Sequence, residues 1–226
     1  MAVRSMGFNL QSLLSLVLEG NCPLCGRSTS NPFCLDCQRQ VQHCQLGRSQ
    51  QLQAGQPSVF AWGSYGGSLK RAISAFKYDN APDLAKPLGE WMAQAWLAAN
   101  SAPATVIPIP LHASKQQQRG FNQAALLADR FCTIARLPLE AQGLVRSRAT
   151  EAQFGLDKQA RDQNLQAAFT LNQSLIHRPP VHPVLLLDDI YTTGATARSA
   201  IQTLRYHGIR VWGIVVLART IGTLNA

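Results

Sequence analysis

The sequence predicts an α/β fold: a Rossmann-like parallel sheet flanked by helices, preceded by a small cysteine-built module. Three observations carry that prediction. Residues 184–187 (VLLL) and 211–218 (VWGIVVLA) are uninterrupted apolar runs of strand length, as expected of parallel strands covered on both faces. From residue 59 onward such runs alternate with stretches of helical period, the pattern of βαβ units. Ahead of them stand two C-x-x-C pairs in close succession.

At 226 residues the chain has room for one substantial core and one accessory module. Residues 1–57 are read as the module and 58–226 as the main domain. The module opens with residues 8–18 (FNLQSLLSLVL), an amphipathic helix facing a core or a partner. This stretch lacks the small-residue cleavage site of a secretory leader. No apolar run approaches the roughly 20 residues that span a bilayer, so membrane insertion is not expected.

Cys22, Cys25, Cys34 and Cys37 follow. Two C-x-x-C knuckles in tandem wrap four thiolates around one tetrahedral ion, so a structural Zn²⁺ is the expected cofactor. Disulfides are the alternative, and the missing export signal argues against them. Gly26 eases the turn after the first pair. In so short a module the metal provides much of the folding energy. Cys44 and Cys132 are surplus thiols, packed or partly exposed. Residues 38–57, rich in Gln, Ser and Gly, read as the connection to the main domain.

The main domain is expected to begin with a strand at 59–65 and a helix at 69–78. A longer helix at 82–100 turns Leu84, Leu88, Trp91 and Ala95 inward. A strand at 105–109 leads through a polar loop, 107–123, into a helix from residue 121 with Ala124, Ala128, Phe131 and Ala135 on its inner stripe. Lys115, Arg119 and Gly120 lie in that loop, between a strand's carboxyl end and a helix N-terminus, a setting that suits an anion. Segment 144–169 is poor in apolar residues and carries Arg146, Arg148, Thr150, Gln153, Arg161 and Asn164. It reads either as a hood that shields a site from water or as a solvated hairpin.

The most informative stretch is 184–197, VLLLDDIYTTGATA. Asp188 and Asp189 mark the end of the strand, and Thr192, Thr193, Gly194, Ala195 and Thr196 form the turn into a helix starting at about Ala195. Ligands of open α/β sheets bind at such ends. The turn offers hydroxyls and closely spaced N–H groups, and the helix N-terminus adds partial positive charge. The two carboxylates accept hydrogen bonds from a vicinal diol or hold Mg²⁺ through water. Together these parts form a mould for a ribose 5-phosphate. A helix with Ala197, Ile201 and Leu204 inward follows, stopped by Gly208, and the 211–218 strand completes the unit.

Net charge is +9, spread along the chain rather than gathered in one tail, which favours polyanionic partners without choosing among them.

Residues 184–197 resemble the phosphoribosyl-diphosphate (PRPP) loop of type I phosphoribosyltransferases. Taken with Phe76-Lys77-Tyr78, VIPIPLH, Arg119-Gly120-Phe121-Asn122-Gln123 and RSRATEAQFGLDKQARDQNLQAAF behind a Cys knuckle, nearly the whole chain is similar to the ComF family. That resemblance implies a type I phosphoribosyltransferase fold over 58–226 fused to a zinc-knuckle module. It implies cytoplasmic bacterial proteins, free or attached at the inner face of the membrane, with roles in natural competence and DNA uptake. Implied partners are PRPP, incoming single-stranded DNA and competence proteins of helicase and DNA-processing type. Carried over by position, Asp188, Asp189 and Thr192 to Thr196 match the PRPP loop, Arg119 and Gly120 the loop near pyrophosphate, and Arg146 to Asn164 the hood. Two departures stand out. Cys44 is followed by no second C-x-x-C-G pair, and Thr192 replaces the aspartate that purine-salvage relatives use on a purine ring.

Two functions follow. One is transfer of the ribosyl 5-phosphate unit from PRPP to a nitrogenous acceptor: Asp188 and Asp189 hold the ribose, while Mg²⁺ with Arg119 or Lys115 neutralises the departing diphosphate. The other is a non-catalytic competence adaptor that binds single-stranded DNA and partner proteins. A nucleotide-responsive DNA-binding regulator ranks last, because no helix-turn-helix signature is present.

Overall fold

Four parallel strands and one antiparallel edge strand form the central sheet, in the order β3-β4-β9-β8-β5. The strands are β3 (Leu52–Gln53), β4 (Ser58–Ser64), β5 (Thr105–Pro108), β8 (Val184–Tyr191) and β9 (Val211–Arg219). The computed structural model describes residues 20–99, 102–146 and 168–220. The expected helix at 8–18 lies outside them.

Both faces of the sheet are covered, and side chains alternate between them with the strand period of two. On one face Phe60, Trp62, Leu185, Leu187, Val215 and Leu217 pack against α3 (Gly67–Tyr78), α4 (Ala85–Ala99) and α6 (Gln123–Ala135). On the other, Val59, Ala61, Val184, Leu186, Ile214 and Val216 meet α7 (Gln173–His177), α8 (Ala195–Tyr206) and an antiparallel ribbon of β6 (Leu144–Arg146) and β7 (Phe169–Leu171). The apolar runs read from the sequence are therefore strands buried on both sides. The α/β class holds as expected, as a mixed sheet flanked by helices.

Three local expectations need correction. The 38–57 connection is folded: α1 (Leu35–Gln42) extends into it, turning Cys37 and Val41 inward, and α2 (Arg48–Gln51) leads into edge strand β3. The polar composition of the stretch hid the inward position of Val41. The expected helix at 82–100 starts as a 3₁₀ turn, Pro82–Leu84, before α4 begins at Ala85. The 107–123 loop holds α5 (Ala113–Arg119), whose N-cap is His112: its Nδ1 accepts from the Ser114 N–H at 3.3 Å. No residue of α5 is buried, so it has no apolar stripe to announce it.

The cysteine module is joined to the main core rather than set apart. β1 (Gly20–Asn21) pairs with β2 (Ser28–Thr29), and Phe33 and Val41 are buried in the same cluster as Trp62 and Leu69. Phe33 stacks on Trp91 at 6.1 Å, and Trp91 on Trp62 at 5.6 Å.

Candidate functional site

Strand lengths create the site. β5 pairs with β8 up to Pro108↔Leu187, and the Ile109 N–H still donates to the Leu187 carbonyl at 2.9 Å. There β5 ends. β8 continues beside β9 through Asp188, Ile190 and Tyr191, leaving its β5-side edge open at the carboxyl end of the sheet. Asp188 and Asp189 therefore lie inside the strand rather than after it, as the sequence implied, and they point to opposite faces.

Two cations bear on the acid pair, Lys77 by direct contact and Arg146 at longer range. Asp189, 7% exposed, carries an ion pair from Lys77 Nζ to Oδ2 at 2.5 Å. Lys77 sits in the last turn of α3, where helix carbonyls favour a positive charge. Asp188 faces the β6–β7 ribbon, whose Arg146 acts on it electrostatically and lies 5.5 Å over the Phe169 ring. Burial pushes the Asp188 carboxyl well above the usual carboxylate range, and the charge of Asp189 adds to the effect. The Asp189 N–H, which donates to Asp188 Oδ1 at 2.8 Å, and Lys77 pull the other way. Burial also lowers the Arg146 guanidinium from its usual value, opposed by Asp188.

After Tyr191 the chain turns through exposed Thr192 and Thr193. Gly194 is the N-cap of α8, with φ 74°, so Ala195 and Thr196 present the first-turn N–H groups of a 12-residue helix. Arg198 Nη1 donates to the Thr193 carbonyl at 2.8 Å and closes the turn from behind. A Cβ at Gly194 would lie 2.2 Å from the Tyr191 hydroxyl. Gly194→Ala is therefore expected to cost about 2 kcal/mol through backbone strain and displacement of Tyr191, read as a lowered urea midpoint.

The second loop lies at the carboxyl end of neighbouring β5. Arg119 closes α5 before Gly120, which has φ 79°. Its Nη1 donates to Gln123 Oε1 at 3.0 Å, and its guanidinium lies 5.1 Å from the centre of the Tyr78 ring. Lys115 is exposed on the same helix. Of the proposed hood residues, Arg146 is placed at the ribbon's end, while Arg148, Thr150, Gln153, Arg161 and Asn164 lie outside the described residues.

The second candidate centre is the cysteine cluster. The sulfurs of Cys22, Cys25, Cys34 and Cys37 all lie within 4.8 Å of one another, and Cys25 and Cys34 are 3.6 Å apart. This all-thiol set can hold a metal. Gly26, with φ 74°, donates its N–H to the Cys22 carbonyl at 2.8 Å and closes the first knuckle. Burial works to raise the Cys22 thiol, but hydrogen bonds from the Cys34 and Leu24 backbone, then from Cys25 and Cys37, bring it down to about 7. Burial, reinforced by neighbouring thiols, raises that of Cys37. Of the surplus thiols, Cys132 is buried and pushed up to about 12 by that burial and by Asp129. Cys44 is half-buried.

No protein-family model matches the sequence. Competence protein F of Haemophilus influenzae is 30% identical over 217 residues, which covers 89% of this chain and 92% of that protein. The chain belongs to the competence protein F (ComF) family. DNA utilization protein YhgH of Shigella flexneri is 27% identical over 92% of this ComF-family chain and 94% of its own length. Among solved structures, adenine phosphoribosyltransferase from Leishmania donovani aligns with a TM-score of 0.43 and 15% identity, over 74% of each chain.

The sequence reading missed what holds the ComF-family acids and loop in place. Phe76, Lys77 and Tyr78 are consecutive residues of α3 with three separate tasks. Phe76 is buried against the Phe121 ring at 5.7 Å, Lys77 pairs with Asp189, and Tyr78 lies under Arg119. One helix end thus touches both candidate half-sites. The tripeptide was visible as part of the family resemblance, but nothing in its spacing names a partner for Lys77.

Proposed function

We propose that this chain acts in natural competence as a ComF-type protein that binds PRPP or a related phosphoribosyl ligand between the carboxyl ends of β5 and β8. The observation that carries the reading is the run of Asp188 and Asp189 on the open edge of β8, leading through the Gly194 turn into the N-terminus of α8. The Thr192–Thr196 turn and the first N–H groups of α8 receive the 5-phosphate. Asp188 and Asp189 receive the ribose hydroxyls. Lys115 and Arg119 stand where the diphosphate would extend, with Gly120 giving the backbone close approach.

In a transfer reaction the bond from the anomeric carbon to the diphosphate oxygen breaks and a bond to the acceptor nitrogen forms. The acid pair stabilises the positive charge that develops on the ribose, and Arg119 and Lys115 offset the charge on the leaving group. Mg²⁺ bound with the diphosphate would add to that neutralisation. Arg146, at the end of β6, is the described residue of the hood and contributes positive charge beside Asp188. The cysteine cluster holds a structural Zn²⁺ that keeps the N-terminal segment folded against α3 and α4. Among the described residues no helix is long and apolar enough to cross a membrane, and a cytoplasmic protein is proposed. Calorimetric titration of PRPP with and without Mg²⁺ tests the ligand: saturable one-site binding supports the reading, and none by the folded, metal-loaded protein overturns it.

The adaptor reading is favoured by charge. Residues 168–220 contain no acid other than Asp188 and Asp189. Single-stranded DNA binding that falls steeply with salt and survives Asp188→Asn would support it, with competence proteins of helicase and DNA-processing type as further partners.

A further inference from the structure

The ion pair at Asp189 bears on how the acid pair works, given the ribose-phosphate reading above. Lys77 Nζ lies 2.5 Å from Asp189 Oδ2, and the two side chains are only 17% and 10% exposed. The lysine is held there from both sides in sequence: Phe76 is anchored in the core and Tyr78 against Arg119. Its position on the final turn of α3 stabilises the ammonium. A divalent ion seeking carboxylate oxygens at the strand edge would need that oxygen and would meet a fixed positive charge beside it. Mg²⁺ moreover gives up its water shell reluctantly. Asp188, the next residue back along the strand, interacts electrostatically with Arg146.

We propose that Lys77 is a positioning residue that serves as the built-in cation of Asp189, so that the acid pair binds a ribose diol without a metal on its carboxylates. Any Mg²⁺ requirement then belongs to the diphosphate. With one oxygen fixed by the ammonium, Asp189 keeps its other oxygen aimed and able to accept a hydroxyl.

Ribose 5-phosphate tests this, because it lacks the diphosphate that chelates Mg²⁺. Its affinity is measured calorimetrically in Mg²⁺ and in EDTA for the parent, Lys77→Arg and Lys77→Met. The parent is expected to bind equally in both conditions. Lys77→Arg should stay within about threefold of it, and Lys77→Met should lose about tenfold in EDTA and regain part of that loss with Mg²⁺. A parent affinity that drops about tenfold in EDTA overturns the proposal without any variant. So does a folded Lys77→Met that binds like the parent. Parent protein that binds neither ribose 5-phosphate nor PRPP overturns the ribose-phosphate reading itself, and the proposal with it.

Discussion

Replacing Asp188 and Asp189 together by asparagine is expected to weaken PRPP binding by more than about 100-fold, because two acceptors of hydrogen bonds from the ribose diol lose their charge. The two positions should contribute unequally. Asp189 is the ionised partner of Lys77, and its neutralisation removes a charge-assisted acceptor and leaves a mostly buried ammonium unpaired. Asp189→Asn alone should therefore cost about 2 kcal/mol of stability, less than the loss from a fully buried pair, because the lysine stem can carry its charge outward. Asp188 behaves differently. Its folded pKa lies above the unfolded value, so whatever stability its protonated form lends is complete at low pH and is lost as pH rises through the folded pKa. Asparagine is neutral at every pH. Asp188→Asn should thus stabilise the protein at neutral pH, with the gain fading as pH falls toward about 4, while ligand affinity drops modestly. Urea midpoints at pH 5 and pH 8 alongside calorimetry check both halves. Lower stability of Asp188→Asn at pH 8 would show that this carboxylate is needed charged for folding.

The chain announces its strands and the turn at Gly194 plainly and its supporting contacts hardly at all, for physical reasons. Residues 184–187 and 211–218 stand out because a parallel strand covered on both faces has no polar side to interrupt it. The end of β8 was misplaced because hydropathy falls at Asp188 while the ladder with β9 runs on to Tyr191. Gly194 was legible, since the turn needs a residue that accepts a left-handed backbone. Helix α5 was not, because its length of seven residues and its polar surface give no period. Its capping signals at His112 and Gly120 were present but short-range. The pairing of Lys77 with Asp189 joins α3 to β8 across the sheet, and no local pattern encodes a contact between residues so far apart.

The cysteine cluster carries the other large expected effect. Replacing Cys34 and Cys37 by serine, or stripping the metal with a strong chelator, is expected to lower Tm by about 10–20 °C, the shift that a loss of about 5 kcal/mol produces in a chain of this size. Structural zinc contributes apparent free energies of about 10–16 kcal/mol in isolated finger peptides, as much as the whole stability of an ordinary domain, about 5–15 kcal/mol. Four sulfurs within 4.8 Å of one another, two of them on buried residues, form a set that one ion would hold together. The effect should reach the main domain, because Phe33 and Val41 of the cysteine segment belong to its core and the Phe33–Trp91–Trp62 stack bridges the two. Calorimetric melting should therefore show one transition that moves as a unit, with tryptophan fluorescence following it, and elemental analysis should find one zinc per chain. A main transition that stays in place after the cysteines are changed would mean that the module folds on its own and that the aromatic stack adds little to the core.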